Sequence, residues 1–181
     1  MNVICLDIDD CILNSNITYA GNTEDDLELL EINLKRIVKI IQKWDCKIFI
    51  TSAWHLILKL EDNNLIYDNK CYDYPKVKEF YQKEYDAFQL IAKYLNGYVI
   101  GLSCGSRERD ILNLLKEDHK VIAFDDIDLS KINHKNYLYL YVDGFVSNHH
   151  LFRIYNFIEN KGFICEYNKF GAINCLNAFS N

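Results

Sequence analysis

Asp7 and Asp9 stand one residue apart at the end of the first apolar run of the chain, which begins at Val3. A continuous apolar run is typical of a strand buried on both faces of a mostly parallel sheet, and such sheets place their active sites at the carboxyl ends of the strands. Alternate residues of a strand point the same way, so the two carboxylates are expected to converge unless the backbone bends between them. A cation such as Mg²⁺ between them would keep both ionised. The alternative is that residues 7–10 form an acidic turn that caps the next element.

Polar side chains also follow the later apolar runs. Hydroxyl groups follow the second run, two arginines follow the third, and a pair of acids follows the fourth. These residues are Thr51 and Ser52, Arg107 and Arg109, and Asp125 and Asp126. Because the carboxyl ends of parallel strands meet at one edge of a sheet, this order predicts acids, hydroxyls and a guanidinium at a common rim.

The elements that must position these residues follow an alternation of short apolar runs with longer amphipathic ones. This alternation predicts an α/β fold, a doubly wound parallel sheet with helices on both faces. Strands are predicted over residues 3–6, 47–50, 98–102, 121–124 and 137–142. Helices are predicted from Thr23 as N-cap to residue 41, and over residues 76–95, 107–116 and 148–160.

The segment 54–75 is predicted to be a short helix followed by a surface loop, and it is the candidate for a lid or surface insertion. Only residues 14–22 separate the first acids from the next helix, which is too short a stretch for a folded cap. With a minimal cap or none, the acids would be open to solvent and to bulky substrates.

Composition bounds the class of protein. The 181 residues suit one domain over 1–181 with a sizeable core, since half of them are hydrophobic and a quarter are charged. A net charge of −6 and a pI near 5.3 argue against an extended nucleic-acid surface, but leave a mononucleotide or a nucleic-acid end as a partner. No run reaches the roughly 18 apolar residues of a membrane span, so no membrane partner is expected.

The cysteines indicate the redox environment. There are seven, odd in number, scattered and without a C-x-x-C pair, which is typical of reduced thiols. The amino terminus lacks the basic and apolar regions of a signal peptide. The predicted location is therefore the cytoplasm, and the sequence indicates no oligomeric state.

Three segments resemble motifs of the haloacid dehalogenase (HAD) superfamily of phosphohydrolases. Residues 6–11 are similar to its first motif, D-x-D-x-[T/V], although Cys11 stands where the family usually has Thr or Val. Residues 48–51 are similar to its second motif, a strand that ends in Thr or Ser, and residues 123–126 to its fourth, an apolar strand that ends in paired acids. The third motif is one basic residue before the fourth, here Arg107, Arg109 or Lys116. The resemblance covers roughly residues 1–145.

A narrower resemblance is to the small HAD domains of bacterial multi-domain RNA-repair proteins. Their T-S-x-W second motif is similar to residues 51–54, and their basic residue three positions before an acidic-Ile step is similar to Arg107 before Asp110. Residues 143–145 are similar to the D-x-G-L step after their fifth strand. The resemblance implies a HAD-like, Rossmannoid sheet with a minimal cap or none.

The resemblance also implies a role for each candidate residue. Asp7 is the nucleophile that forms an aspartyl-phosphate, and Asp9 is the general acid and base. The implied cofactor is Mg²⁺, held by Asp7, the backbone carbonyl of Asp9 and a carboxylate of Asp125 or Asp126, with Asp126 favoured as the direct ligand. The implied substrate-binding residues are Thr51, Ser52, Trp54 and Arg107. Of the three basic candidates, Arg107 is favoured because it lies in the first turn of its predicted helix, close to the rim.

The expected activity is Mg²⁺-dependent hydrolysis of a phosphomonoester, with nucleotide or nucleic-acid terminal phosphates as the preferred substrate class. The alternatives are a phosphatase of sugar or amino-acid phosphates, and a non-catalytic HAD-like domain that binds a phospho-ligand or a protein. The joint presence of Asp7, Asp9 and Asp126 argues against the last, because a binding domain needs no nucleophile and acid in register. A cysteine nucleophile at Cys11 is disfavoured because no His lies nearby in sequence to activate it. The pair at 149–150 is expected to be solvated or core histidines rather than a metal-binding pair, since neighbours on a helix face apart and no third ligand is evident.

Overall fold

Strands and helices alternate along most of the chain in the computed structural model, which describes residues 1–13, 24–68, 85–103 and 105–160. In chain order the elements are β1 (Asn2–Leu6), α1 (Glu24–Trp44), β2 (Cys46–Ile50), β3 (Leu58–Glu61), β4 (Asn64–Tyr67), α2 (Tyr85–Leu95), β5 (Val99–Leu102), α3 (Arg107–Lys116), β6 (Lys120–Asp125), β7 (Tyr137–Tyr141) and α4 (Asn148–Ile158). A short 3₁₀ helix, Ala53–Leu56, follows β2.

The central sheet has five parallel strands in the order β5-β2-β1-β6-β7. The five predicted strands are confirmed, and no end differs from its prediction by more than one residue. The chain places β2 and then β5 on one side of β1, and it then places β6 and β7 on the other side. The strand order therefore reverses between β1 and β6, which is the switch point where doubly wound sheets form a ligand crevice.

Helices cover both faces of the sheet, because alternate side chains of a buried strand point to opposite sides. Ile4 and Leu6 of β1 belong to the larger core, which includes residues of α1, α2 and α4. Val3 and Cys5 pack with α3 on the other face. Each Leu or Ile buried in this way contributes about 1.5–3 kcal/mol to stability. The predicted α/β sheet flanked by helices on both faces is confirmed.

The first crossover helix is amphipathic as predicted. Helix α1 buries Leu30, Leu34 and Ile37 on one stripe, and acids at positions 24–26 in its first turn complement the helix dipole. The predicted N-cap Thr23 lies outside the described residues. Residues 76–84 of the second predicted helix also lie outside them, and the described remainder forms α2.

The segment after the 3₁₀ helix corrects one prediction. Residues 58–67 form an antiparallel hairpin of β3 and β4 rather than a surface loop, because Asp62 and Asn63 both adopt left-handed backbone angles that close a tight turn. Leu58 and Leu65 are buried in the larger core. The Gly97 amide donates to the Asn63 carbonyl at 2.8 Å, which places the turn beside the start of β5, at the edge opposite the acids. This hairpin is packed structure, and the 69–75 part of the lid prediction lies outside the described residues.

Candidate active site

Asp7 directly follows β1 and lies beside Asp125, the last residue of β6. The two strands pair in parallel with Leu6 opposite Phe124, and the Asp7 amide extends the ladder by donating to the Phe124 carbonyl at 3.0 Å. Both aspartates are buried, each 1% exposed. They therefore meet at the carboxyl edge of the sheet, in the crevice where the strand order reverses.

Three carboxylates converge at this crevice. One oxygen from each of Asp7, Asp125 and Asp126 lies within 4.8 Å of the other two. Both oxygens of Asp7 and Oδ2 of Asp125 are buried and form no hydrogen bond within the described residues, although Oδ2 of Asp7 is ion-paired with Arg107. Such oxygens are costly unless a proton or a cation satisfies them. The ligand type suits a divalent cation, because Mg²⁺ is bound by carboxylate oxygens in proteins.

Arg107, the first residue of α3, supplies positive charge to the three acids. Its Nη1 lies 2.6 Å from Oδ1 of Asp125 and 3.1 Å from Oδ2 of Asp7. The side chain is 23% exposed, so one part of it remains open to the rim. Arg109 and Lys116 lie exposed on the same helix. The structure thus brings Arg107 to the acids, as predicted, while its contact with a phosphate stays a prediction.

Burial is the largest cause of the pKa shifts of Asp7 and Asp125. It raises the pKa of Asp7 to about 8, although the Arg107 charge opposes this shift and the Asp125 charge adds to it. Burial raises the pKa of Asp125 as well. Without a cation Asp7 therefore tends to hold a proton near neutral pH, and a bound cation would favour the carboxylate that a nucleophile requires.

Asp9 lies at the start of a turn, whereas Asp7 continues the hydrogen-bond ladder of β1. The backbone turns after Ile8, whose carbonyl accepts from the amides of Ile12 and Leu13 at 3.1 and 2.9 Å. The backbone bend that qualified the predicted convergence of the Asp7 and Asp9 carboxylates is therefore present, and the described acid cluster joins Asp7 to residues 125 and 126. Metal binding by the Asp9 carbonyl stays a prediction.

Trp54 contacts Asp9 directly. Its Nε1 donates to Oδ1 of Asp9 at 2.7 Å, and the indole is fully buried. Burial raises the pKa of Asp9 to about 6, although the Trp54 hydrogen bond opposes this shift. A pKa near neutrality suits a group that both releases and accepts a proton. The described contact of the Trp54 indole is with Asp9, and substrate binding by Trp54 stays a prediction.

Thr51 and Ser52 lie at the carboxyl end of β2, beside β1. The Thr51 amide donates to the Leu6 carbonyl at 2.9 Å, and both side chains are buried. The Ser52 hydroxyl accepts from the Trp54 amide at 3.4 Å and caps the 3₁₀ helix. Thr51 is therefore at the edge predicted for it, whereas the described contact of the Ser52 side chain is structural. Phosphate binding by either residue stays a prediction.

The cysteine and histidine alternatives find no support at these positions. Cys11 is fully buried, and burial together with the nearby Asp7 charge holds the pKa of its thiol well above the usual value. A thiol in this state is a poor nucleophile. His150 accepts from the Ser147 amide at 3.1 Å and completes the capping box of α4, which is a structural role.

Asn33 is a residue that the sequence analysis missed. It is fully buried on α1, where its amide donates to the carbonyls of Ile12 and Gly144 at 2.8 and 2.9 Å. Its oxygen accepts from the Val146 amide at 2.9 Å. The side chain thus ties the turn after Asp9 to the loop after β7. The available signal was a polar residue inside the apolar stripe of the helix.

A second missed contact holds the start of α3. The Ser103 hydroxyl, buried just after β5, donates to Oδ2 of Asp110 at 2.6 Å. Asp110 lies one turn after Arg107 on the same helix, so the bond fixes the first turn of α3 against the end of β5. This anchor contributes to the placement of Arg107 beside the acids.

Comparisons of the chain with protein-family models, with curated proteins and with solved structures find no match. Among the described residues, no helix combines the length and apolar character that crossing a membrane requires.

Proposed function

We propose that this chain is a Mg²⁺-dependent phosphomonoester hydrolase of the HAD type that acts through an aspartyl-phosphate on Asp7. The observation that carries the proposal is the position of buried Asp7, which lies in one cluster with two further carboxylates and 3.1 Å from the Arg107 guanidinium. A nucleophilic carboxylate needs compensating positive charge, and so does the phosphate that it attacks.

The proposed reaction has two displacements. In the first, a carboxylate oxygen of Asp7 bonds to phosphorus while the bond between phosphorus and the leaving oxygen breaks, and Asp9 gives that oxygen its proton. In the second, a water molecule gives a proton to Asp9 and bonds to phosphorus, and the bond to Asp7 breaks. Inorganic phosphate leaves, and both aspartates return to their initial states.

The surrounding groups would hold the phosphate in line with Asp7. Arg107 would neutralise charge on the phosphoryl oxygens, and Thr51, at the same edge of the sheet, would donate a hydrogen bond to one of them. Mg²⁺, held by Asp7 with Asp126 and Asp125, would offset the negative charge of the substrate and keep Asp7 ionised. The net charge of −6 favours a small phosphate ester or a single nucleic-acid end over a long nucleic acid.

The proposal is tested with purified protein and 4-nitrophenyl phosphate in Mg²⁺. EDTA should abolish hydrolysis and added Mg²⁺ should restore it. Asp7→Asn should lower kcat by at least about 10³-fold, because an amide is not a nucleophile. Asp45→Asn is the matched control, since Asp45 is exposed at the opposite edge and its left-handed backbone angle suits Asn. Activity that survives both EDTA and Asp7→Asn would contradict the proposal.

A further inference from the structure

The hydrogen bond between Trp54 and Asp9 joins the segment after β2 to the segment after β1, 45 residues apart in the chain. We propose that Trp54 is a positioning residue that holds the Asp9 carboxyl in one orientation for proton transfer. The inference rests on the proposed function and adds a residue that controls the transfer of the Asp9 proton to the leaving oxygen.

The chemistry of the indole fixes which Asp9 oxygen can carry the proton. An indole N–H donates and never accepts, so the Oδ1 atom that it contacts must act as an acceptor. Because the carbonyl oxygen of a carboxylic acid accepts more strongly than its hydroxyl oxygen, this bond favours the proton that Asp9 passes to a leaving oxygen on Oδ2. At 2.7 Å the bond is short, and it also prevents the carboxyl group from rotating freely.

The indole is itself held firmly. Its side chain is fully buried, and its backbone lies in the 3₁₀ helix that Ser52 caps, where the Ile57 amide donates to the Trp54 carbonyl at 3.0 Å. A buried N–H that lost its acceptor would be left without a partner. The Trp54 side chain can therefore act as a rigid reference against which Asp9 is oriented.

Leaving-group selectivity tests this role. Trp54→Phe keeps an aromatic ring but removes the donor, so kcat for an alkyl phosphate should fall by about 10-fold to 10²-fold, as expected when an acid is displaced. The kcat for 4-nitrophenyl phosphate should change far less, because its leaving group needs little protonation. Trp44→Phe is the matched control: it removes an indole bond to Glu159 at the opposite edge, and both rates should stay unchanged.

A second measurement follows the contact without using activity. In ¹⁵N-labelled protein the Trp54 indole resonance, assigned by its loss in Trp54→Phe, should shift in Asp9→Asn, while the Trp44 indole resonance stays in place. Should Trp54→Phe fail to fold, 3-benzothienylalanine incorporated at position 54 in a Trp44→Phe background removes the N–H with almost no change of shape. The same loss of alkyl phosphate turnover is expected there.

The outcomes separate the two proposals. A wild-type protein that hydrolyses neither ester overturns the proposed function and this inference with it. An active wild type whose selectivity is unchanged on removal of the Trp54 N–H, or whose rates for both esters fall equally, overturns the inference alone. An unmoved Trp54 resonance in Asp9→Asn also overturns it.

Discussion

Nη1 of Arg107 lies 3.1 Å from Oδ2 of Asp7, although 100 residues separate the two in the chain. The contact follows from topology: α3 begins just after the carboxyl end of β5, and the chain then crosses to β6 on the far side of β1. The first turn of α3 is thereby aimed at the edge where β1 and β6 end. The Arg107 guanidinium therefore acts on the acids of the crevice more than it adds to the charge of the protein surface.

Arg107→Ala should therefore lower kcat by about 10²-fold to 10³-fold, which is the usual effect of removing a donor aimed at developing charge. Arg107→Lys should recover little of this loss, since an ammonium cannot reproduce the planar guanidinium. Steady-state kinetics on an aryl phosphate measure both variants. Arg109→Ala is the control and should change kcat by no more than about two-fold, because Arg109 is exposed. Equal losses in Arg107→Ala and Arg109→Ala would refute the assignment.

The raised pKa values of Asp7 and Asp9, about 8 and about 6, predict how the metal-free protein responds to pH. Between about pH 4 and pH 8 the folded state binds more protons than the unfolded state, whose carboxyl groups have a pKa of about 3.9. The contribution of these two carboxyl groups to stability is therefore fully present below about pH 4 and is lost as pH rises, by up to about 1.4 kcal/mol per pH unit for each extra proton. Urea unfolding in EDTA measures this slope.

The Asp7 contribution can be isolated with Asp7→Asn, which carries no titrating group at that position. At pH 8 in EDTA the variant should be more stable than the wild type, by on the order of a few kcal/mol, and the difference should disappear near pH 4. Added Mg²⁺ should stabilise the wild type more than the variant. A variant less stable than the metal-free wild type at pH 8 would contradict the electrostatic account.

Asn33→Ala should lower the free energy of unfolding by about 2–4 kcal/mol, because it leaves the buried backbone groups of Ile12, Gly144 and Val146 without their partner. Thermal or urea unfolding measures the loss. Asn113→Ala, at an exposed position of α3, is the control and should stay within about 0.5 kcal/mol of the wild type. A loss no larger than that of the control would show that the Asn33 contacts contribute nothing.

Much of the fold was predictable because the central strands β1 and β6 are buried along almost their whole length. Such strands appear in the sequence as continuous apolar runs, and the polar residues that follow them, such as Asp7, Thr51 and Asp125, are then brought together by parallel pairing. Helix α3 was predicted with its observed bounds, since Ser106 caps it and Arg107 begins it.

The remainder depends on contacts that have no local signature. The hairpin β3–β4 was missed because its strands are four residues long and its turn is Asp62-Asn63 rather than a pair containing Gly. The Trp54 hydrogen bond could not be predicted, because it depends on where the turn after Ile8 directs Asp9.

The thiol of Cys11 gives a last test that separates the aspartate mechanism from the cysteine alternative. Cys11 is fully buried with a raised pKa, so Cys11→Ala should cost about 1–2 kcal/mol of stability through the lost packing while the folded enzyme keeps most of its kcat. Cys46→Ala is matched to it, because Cys46 is equally buried but begins β2 at the opposite edge of the sheet. Urea unfolding and kinetics on 4-nitrophenyl phosphate measure both variants. A folded Cys11→Ala protein without turnover, alongside an active Asp7→Asn, would transfer the nucleophile from Asp7 to Cys11.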